Sequence, residues 1–178
     1  AGYYLMAIAG AIGLIWKMKL SYMVMKSAAP IGAALTFLAL FTGAVWGKPT
    51  WGTYWVWDAR ITSMLILLFL YLGVLALQYA FHSQESGNKA SAILALVGTV
   101  NIPIIYKSVD WWYSLHQPAS IKFSGSSSID PSMLYPLLLS IAAFYALFTC
   151  CLLLNMRAEL LEREARTGWV RKLVAGER

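Results

Sequence analysis

The sequence predicts an all-α fold, a polytopic bundle of transmembrane helices, and three observations carry that expectation. Hydrophobic residues make up 60% of the 178 and charged residues only 12%, whereas a soluble domain is about half apolar and about a quarter charged. Five apolar runs recur at lengths near the roughly 20 residues that a bilayer-spanning helix needs. None of the five has an Asp, Glu, Lys, Arg or His in its middle. Charge inside a span is the usual mark of an ion pathway or proton relay, so the pattern argues against an ion-coupled transporter within this bundle.

The elements follow in order. Ala1–Trp16 is slightly short for a span. It starts without methionine and lacks the charged n-region and cleavage site of a signal peptide, so the chain is expected to be a fragment whose N-terminus lies upstream. Ala28–Val45 is the next span, with Pro30 in its first turn, where a missing N–H costs little. Ile61–Phe81 follows Asp58, which can cap it. Ala90–Tyr106 carries Asn101 and Pro103 near its outer end; proline there removes a backbone bond and kinks a helix, shaping the approach to the next loop. Pro136–Met156 follows Asp130-Pro131, which reads as a cap and a first-turn proline, with Pro136 able to shift that start by a turn. Residues 1–156 thus form the bundle and 157–178 a tail that mixes acids and bases at helical spacing, expected to be a solvated or interfacial helix without chemistry. Cys150 and Cys151, adjacent in an apolar run, fit neither a CxxC pair nor a CxxCH haem-attachment site and read as packing residues.

Orientation follows from Lys and Arg in the short loops and tail. Lys17, Lys19, Lys26, Lys89, Arg157, Arg163, Arg166, Arg171, Lys172 and Arg178 fall on one side, against Lys48, Arg60, Lys107 and Lys122 on the other. Ten against four puts the first side and the C-terminus in the cytoplasm. The formal charge of +6 is therefore a topology signal and not a nucleic-acid surface, which would need the basic residues on one folded face.

Two outward segments carry the candidate chemistry. Trp46–Ser63 (WGKPTWGTYWVWDARITS) places Trp46, Trp51, Trp55 and Trp57 within twelve residues, more than interfacial anchoring needs. If Thr50–Arg60 is a short surface helix, Trp51 and Trp55 share a face with Asp58 following, and Trp57 points elsewhere. The alternative is an aromatic belt with Asp58 as a cap. The outer loop 107–130 carries Asp110, Trp111, Trp112 and the run Leu115-His116-Gln117-Pro118, then the Ser/Gly-rich connector Phe123–Ile129. A neutral imidazole at His116 is a ready axial ligand for haem iron, although a lone loop histidine is more often simply solvated. His82, at the other end of its span, reads as a C-terminal residue favourable to the helix dipole. Taken together, an aromatic wall, one imidazole, and Arg60, Lys107 and Lys122 as carboxylate partners suit haem.

At these residues the chain resembles a family. The segment ending WDARITS is similar to the tryptophan-rich "WWD" signature of the haem-handling proteins of cytochrome c biogenesis, and in particular to CcmC, the haem exporter protein C family. Related haem lyases usually continue Asp-Pro, where this chain has Asp58-Ala59. The similarity continues through VNIPIIYKSVDWWYSLHQP (Val100–Pro118) and SIDPSM (Ser128–Met133).

The resemblance implies six spans, five of them visible here, in the bacterial inner membrane, with both termini cytoplasmic and the WWD segment, residues 46–63, periplasmic. It implies non-covalent haem b over that segment, its iron held by His116 and by a second histidine upstream of Ala1. On the spacing of the residues, Trp51, Trp55 and Trp57 are expected to contact the macrocycle, Asp58 and Arg60 to orient the shelf or engage propionates and CcmE, and Trp46, Trp111 and Trp112 to complete the haem-binding set. The partners that the resemblance implies are the haem chaperone CcmE, to which haem is delivered, and an ABC-type cytochrome c maturation complex. A membrane subunit of such a permease complex without its own haem site is the alternative from another class, and a haem lyase of the same superfamily a third. No nucleophile–base pair, carboxylate dyad or phosphate-binding glycine loop appears, so a haem-transfer protein is expected and not an enzyme.

Overall fold

The computed structural model describes residues 1–112, 114–116, 129–165, 167, 168 and 170. Among these the chain is all-helical: α1 (Gly2–Trp16), α2 (Lys19–Trp51), α3 (Ala59–Ala80), α4 (Gln84–Gly98), α5 (Asn101–Trp111) and α6 (Pro131–Arg163). α2, α3, α4 continued by α5, and α6 are each long and apolar enough to cross a membrane, and α1 is a shorter apolar helix. This is a polytopic helical membrane protein. Residues 123–128 of the connector, Gln117, Pro118, Lys122 and the tail bases Arg166, Arg171, Lys172 and Arg178 lie outside the described residues.

α1 to α4 close a four-membered ring, each packed on its two neighbours, with α5 laid over α3 and α6 resting on α2. Small residues line the contacts: Ala9, Gly10 and Gly13 on α1, Ala28, Ala29 and Gly32 on α2, Ser91, Ala92 and Ala95 on α4. In lipid there is no hydrophobic drive between helices, so close backbone approach supplies the association energy. Tyrosine rings fill the notches that glycine leaves, Tyr71 against Gly32 and Tyr22 against Gly13, and Tyr3 meets Tyr71 edge to face at 5.1 Å. Polar side chains tie further pairs: Ser91 Oγ donates to the Val74 carbonyl at 3.1 Å, Asn101 Nδ2 to Ser63 at 2.9 Å and Asn155 Nδ2 to Ser27 at 3.3 Å.

Two helices outrun the spans expected of them. α2 begins at Lys19 after a two-residue turn in which Lys17 is left-handed, φ 53°, so Pro30 lies in its interior and not in a first turn. α6 runs on to Arg163, where the tail was expected to begin at 157. Apolar runs mark hydrocarbon depth; charged residues at the interface do not interrupt a backbone ladder. Nor is this tail fully solvated, because Glu159 is buried, pairing with Lys26 at 2.7 Å and Arg163 at 2.6 Å. Lys17, Lys19, Lys26, Lys89 and Arg163, grouped on one side from sequence, line a single polar cavity of about 950 Å³ with Glu85, Glu159, Glu162 and Glu164.

The cap signals hold. Asp130 accepts from the Ser132 backbone N–H at 2.8 Å and its hydroxyl at 2.6 Å, bonds that hold its carboxyl below the usual range, and Pro131 sits in the first turn without Pro136 displacing the start. The helix break falls at Thr99–Val100, immediately before Asn101 and Pro103. Cys150 is exposed and Cys151 half-buried, so the expected packing role suits only the second; α6 meets its neighbours along one narrow side. An apolar groove of about 520 Å³ opens beside it, between α1, α2 and α6.

Candidate functional site

The tryptophan segment folds as a helix end, a sharp turn and a helix start. α2 carries Trp46 and Trp51 through its last two turns and stops at Gly52, whose φ of 80° is left-handed and whose N–H returns to the Lys48 carbonyl at 3.0 Å. Glycine takes this conformation without the penalty a Cβ imposes. A Cβ at Gly52 would meet nothing within 4 Å, so Gly52→Ala is expected to cost about 1–2 kcal/mol from the backbone alone. The lowered midpoint of thermal unfolding in detergent, with Gly52→Asn milder, is the check.

The expected surface helix over Thr50–Arg60 is therefore absent. Trp51 ends α2, while Trp55 and Trp57 lie in an irregular stretch, so Trp51 and Trp55 do not share a helix face. The chain re-enters a helix at Asp58, whose Oδ1 accepts from the Ile61 N–H at 2.8 Å.

Tertiary contact nevertheless gathers much of the predicted set. Trp46, Trp51, Tyr54, Trp55, Arg60 and His116 line one cleft of about 250 Å³, floored by apolar residues of α2 and α3. Its volume of about 250 Å³ lies below the roughly 300–1,000 Å³ of enclosing small-molecule sites, so it cannot enclose a large ligand. Trp46 and Trp51 meet edge to face at 5.4 Å, and Trp51 meets the His116 ring at 4.8 Å. Trp57 packs on Trp55 at 5.5 Å but stays 74% exposed. Trp111 and Trp112 contact each other at 5.9 Å, are exposed, and do not line the cleft. Lys107 pairs with Asp110 at 3.1 Å.

At the centre is a contact between residues 58 positions apart. His116 Nδ1 lies 2.7 Å from Asp58 Oδ2, which also accepts from Ser114 Oγ at 2.7 Å; the Ser114 hydroxyl in turn accepts from the His116 backbone N–H at 3.2 Å. Burial alone would raise the Asp58 carboxyl, but hydrogen bonds from Ile61, Ser114 and His116 outweigh it and hold it below the usual carboxylate range. An ionised carboxylate only accepts, so the proton of this contact sits on Nδ1, which in a neutral imidazole leaves the lone pair on Nε2. Among the described residues nothing bonds Nε2, and the buried Trp55 indole N–H likewise has no acceptor. Ser114 and Tyr54 are absent from the sequence-based set; a serine two positions before the histidine is a weak signal that the contact makes plain.

Comparison with known proteins bears on what this cleft serves. The model of the CcmC family, heme exporter protein C, matches residues 1–171. The chain belongs to the CcmC family. It is 49% identical over 172 residues to heme exporter protein C of Escherichia coli K12, covering 97% of this chain and 69% of that one. It is also 50% identical over 171 residues to that of Haemophilus influenzae, 96% and 70% covered, and 52% identical over 162 residues to that of Bradyrhizobium diazoefficiens, 91% and 62% covered. The CcmC resemblance read from the WWD segment thus holds over nearly the whole chain. The residues of the cleft suit the cargo in the family's name: flat aromatic walls, a histidine with Nε2 unbonded, an indole donor without an acceptor, and Arg60, which has no ion pair among the described residues.

Proposed function

We propose that this CcmC chain binds haem at the tryptophan-rich end of its bundle, on the periplasmic face of the inner membrane, and passes it to the chaperone CcmE within an ABC-type cytochrome c maturation complex. The observation that carries this reading is His116, turned by Asp58 so that Nε2 is unbonded beside Trp51 and the cleft. His116 would hold the iron. Trp46, Trp51 and Trp55 would contact the macrocycle, with Trp57, Trp111 and Trp112 as an outer rim. Arg60 and the Trp55 indole would meet propionates. Bound haem supplies a metal centre and two carboxylates; the chain's part is to bind, orient and release it. The relatives' names support haem as cargo.

The visible spectrum of the full-length protein purified in detergent is the test. Edge and face contacts with aromatic rings contribute about 0.5–1.5 kcal/mol each, and 1.4 kcal/mol is tenfold. The double variant Trp51→Ala/Trp55→Ala is thus expected to lower haem affinity by about 10- to 100-fold. Haem retention equal to wild type would sink the aromatic platform, and no haem band in the wild type would make the tryptophans a belt and partner surface of a permease subunit.

A further inference from the structure

We propose that Asp58, beyond capping α3, is the residue that positions His116 as an iron ligand. This rests on the haem-binding reading above. The two carboxylate oxygens have separate tasks. Oδ1 takes the Ile61 N–H at 2.8 Å, which is all that a cap requires. Oδ2 takes His116 Nδ1 at 2.7 Å and Ser114 Oγ at 2.7 Å. A serine or threonine would cap as well but could not reach across to a second segment. The side chain is 6% exposed, and burying a carboxylate is costly unless its partners are fixed.

Metal-bound histidines commonly donate their other ring N–H to a carboxylate, which fixes the tautomer, holds the ring orientation and makes the ligating nitrogen more basic. Asp58 provides that arrangement before any metal arrives. Ser114 stiffens it, since its hydroxyl donates to Asp58 while accepting from the His116 backbone. A more basic ligand favours ferric over ferrous iron, so Asp58 also biases the oxidation state in which haem is held.

Two variants separate positioning from capping. Asp58→Ser keeps a good N-cap and removes the carboxylate. Asp58→Asn keeps shape but cannot present an acceptor to both Ile61 and His116; with its amide nitrogen toward the imidazole, it favours the tautomer whose Nε2 carries the proton and cannot ligate. Each full-length variant is expected to keep wild-type helicity and thermal stability in detergent, and to lose about 10- to 100-fold in haem affinity. In the haem that remains, a tenfold loss of ferric preference reads as a shift of about 59 mV to more positive potential. Wild-type affinity and unchanged potential in both variants, with haem still bound by the wild type, would overturn the positioning role alone. Absence of haem from the wild type would instead overturn the reading on which it rests. Loss of helicity in Asp58→Asn but not in Asp58→Ser, with affinity unchanged in the latter, would reduce Asp58 to a cap.

Discussion

Replacing His116 by alanine is expected to remove or shift the haem band of the purified full-length protein while leaving the bundle folded. His116 is the only histidine among the cleft-lining residues, so nothing else there replaces an imidazole. Loss of the ligand itself should exceed the roughly 10- to 100-fold that follows loss of an outer partner. The fold should survive because Asp58 keeps its bonds from Ile61 and Ser114 and the helix contacts lie below the cleft. Free imidazole, small enough to enter the space vacated, should restore part of the band. An unchanged spectrum would put the iron elsewhere.

Replacing Gly32 by alanine is expected to destabilise the bundle. A Cβ at Gly32 would fall within the ring of Tyr71. That ring is 3% exposed and braced edge to face by Tyr3, and Tyr3 is in turn seated against Gly98. No member of the chain of contacts can step aside, so the substitution should cost about 1–3 kcal/mol, at the upper end for overpacking. Gly43, on the same helix, has nothing within 4 Å of its Cβ position; Gly43→Ala should gain about 0.5–1 kcal/mol through backbone entropy. The half-life of the folded protein in detergent at elevated temperature separates the two. Similar half-lives would mean that the α2–α3 contact is looser than described, whereas partial rescue of Gly32→Ala by Tyr71→Ala would locate the clash.

Much of the fold was legible because lipid imposes a length on apolar runs, and every expected span has a helix over it. Helix ends were not, because a hydrophobic run ends where the hydrocarbon ends, while α2 and α6 continue through the interface to Lys19 and Arg163. Within the site, residue type carried further than residue geometry. The density of tryptophan in 46–57 pointed to the segment, yet the helical spacing of Trp51 and Trp55 misled. Gly52, a helix terminator by its side-chain-free backbone, stands between them. The Asp58–His116 contact joins segments 58 positions apart, and no local period encodes such a pair. Asp58 was readable as a cap because capping is a matter of three residues; its second partner was not.

Among the four candidate spans α6 holds the most apolar stretch, with a mean hydropathy of 2.5, yet only 6% of that stretch is buried by the rest of the protein. A helix of this kind needs no companion to be stable in lipid. Its anchors to α2 are polar and gathered at the Arg163 end: Asn155 to Ser27, and the Lys26–Glu159 pair. α1 to α4 hold among themselves the contacts that close their ring. The C-terminal helix adds one flank to that ring, and its hydropathy, not burial against its neighbours, suits it to lipid. The seat of α6 on α2 is therefore marked by the Asn155–Ser27 bond and the Lys26–Glu159 pair, contacts that apolar length alone does not supply.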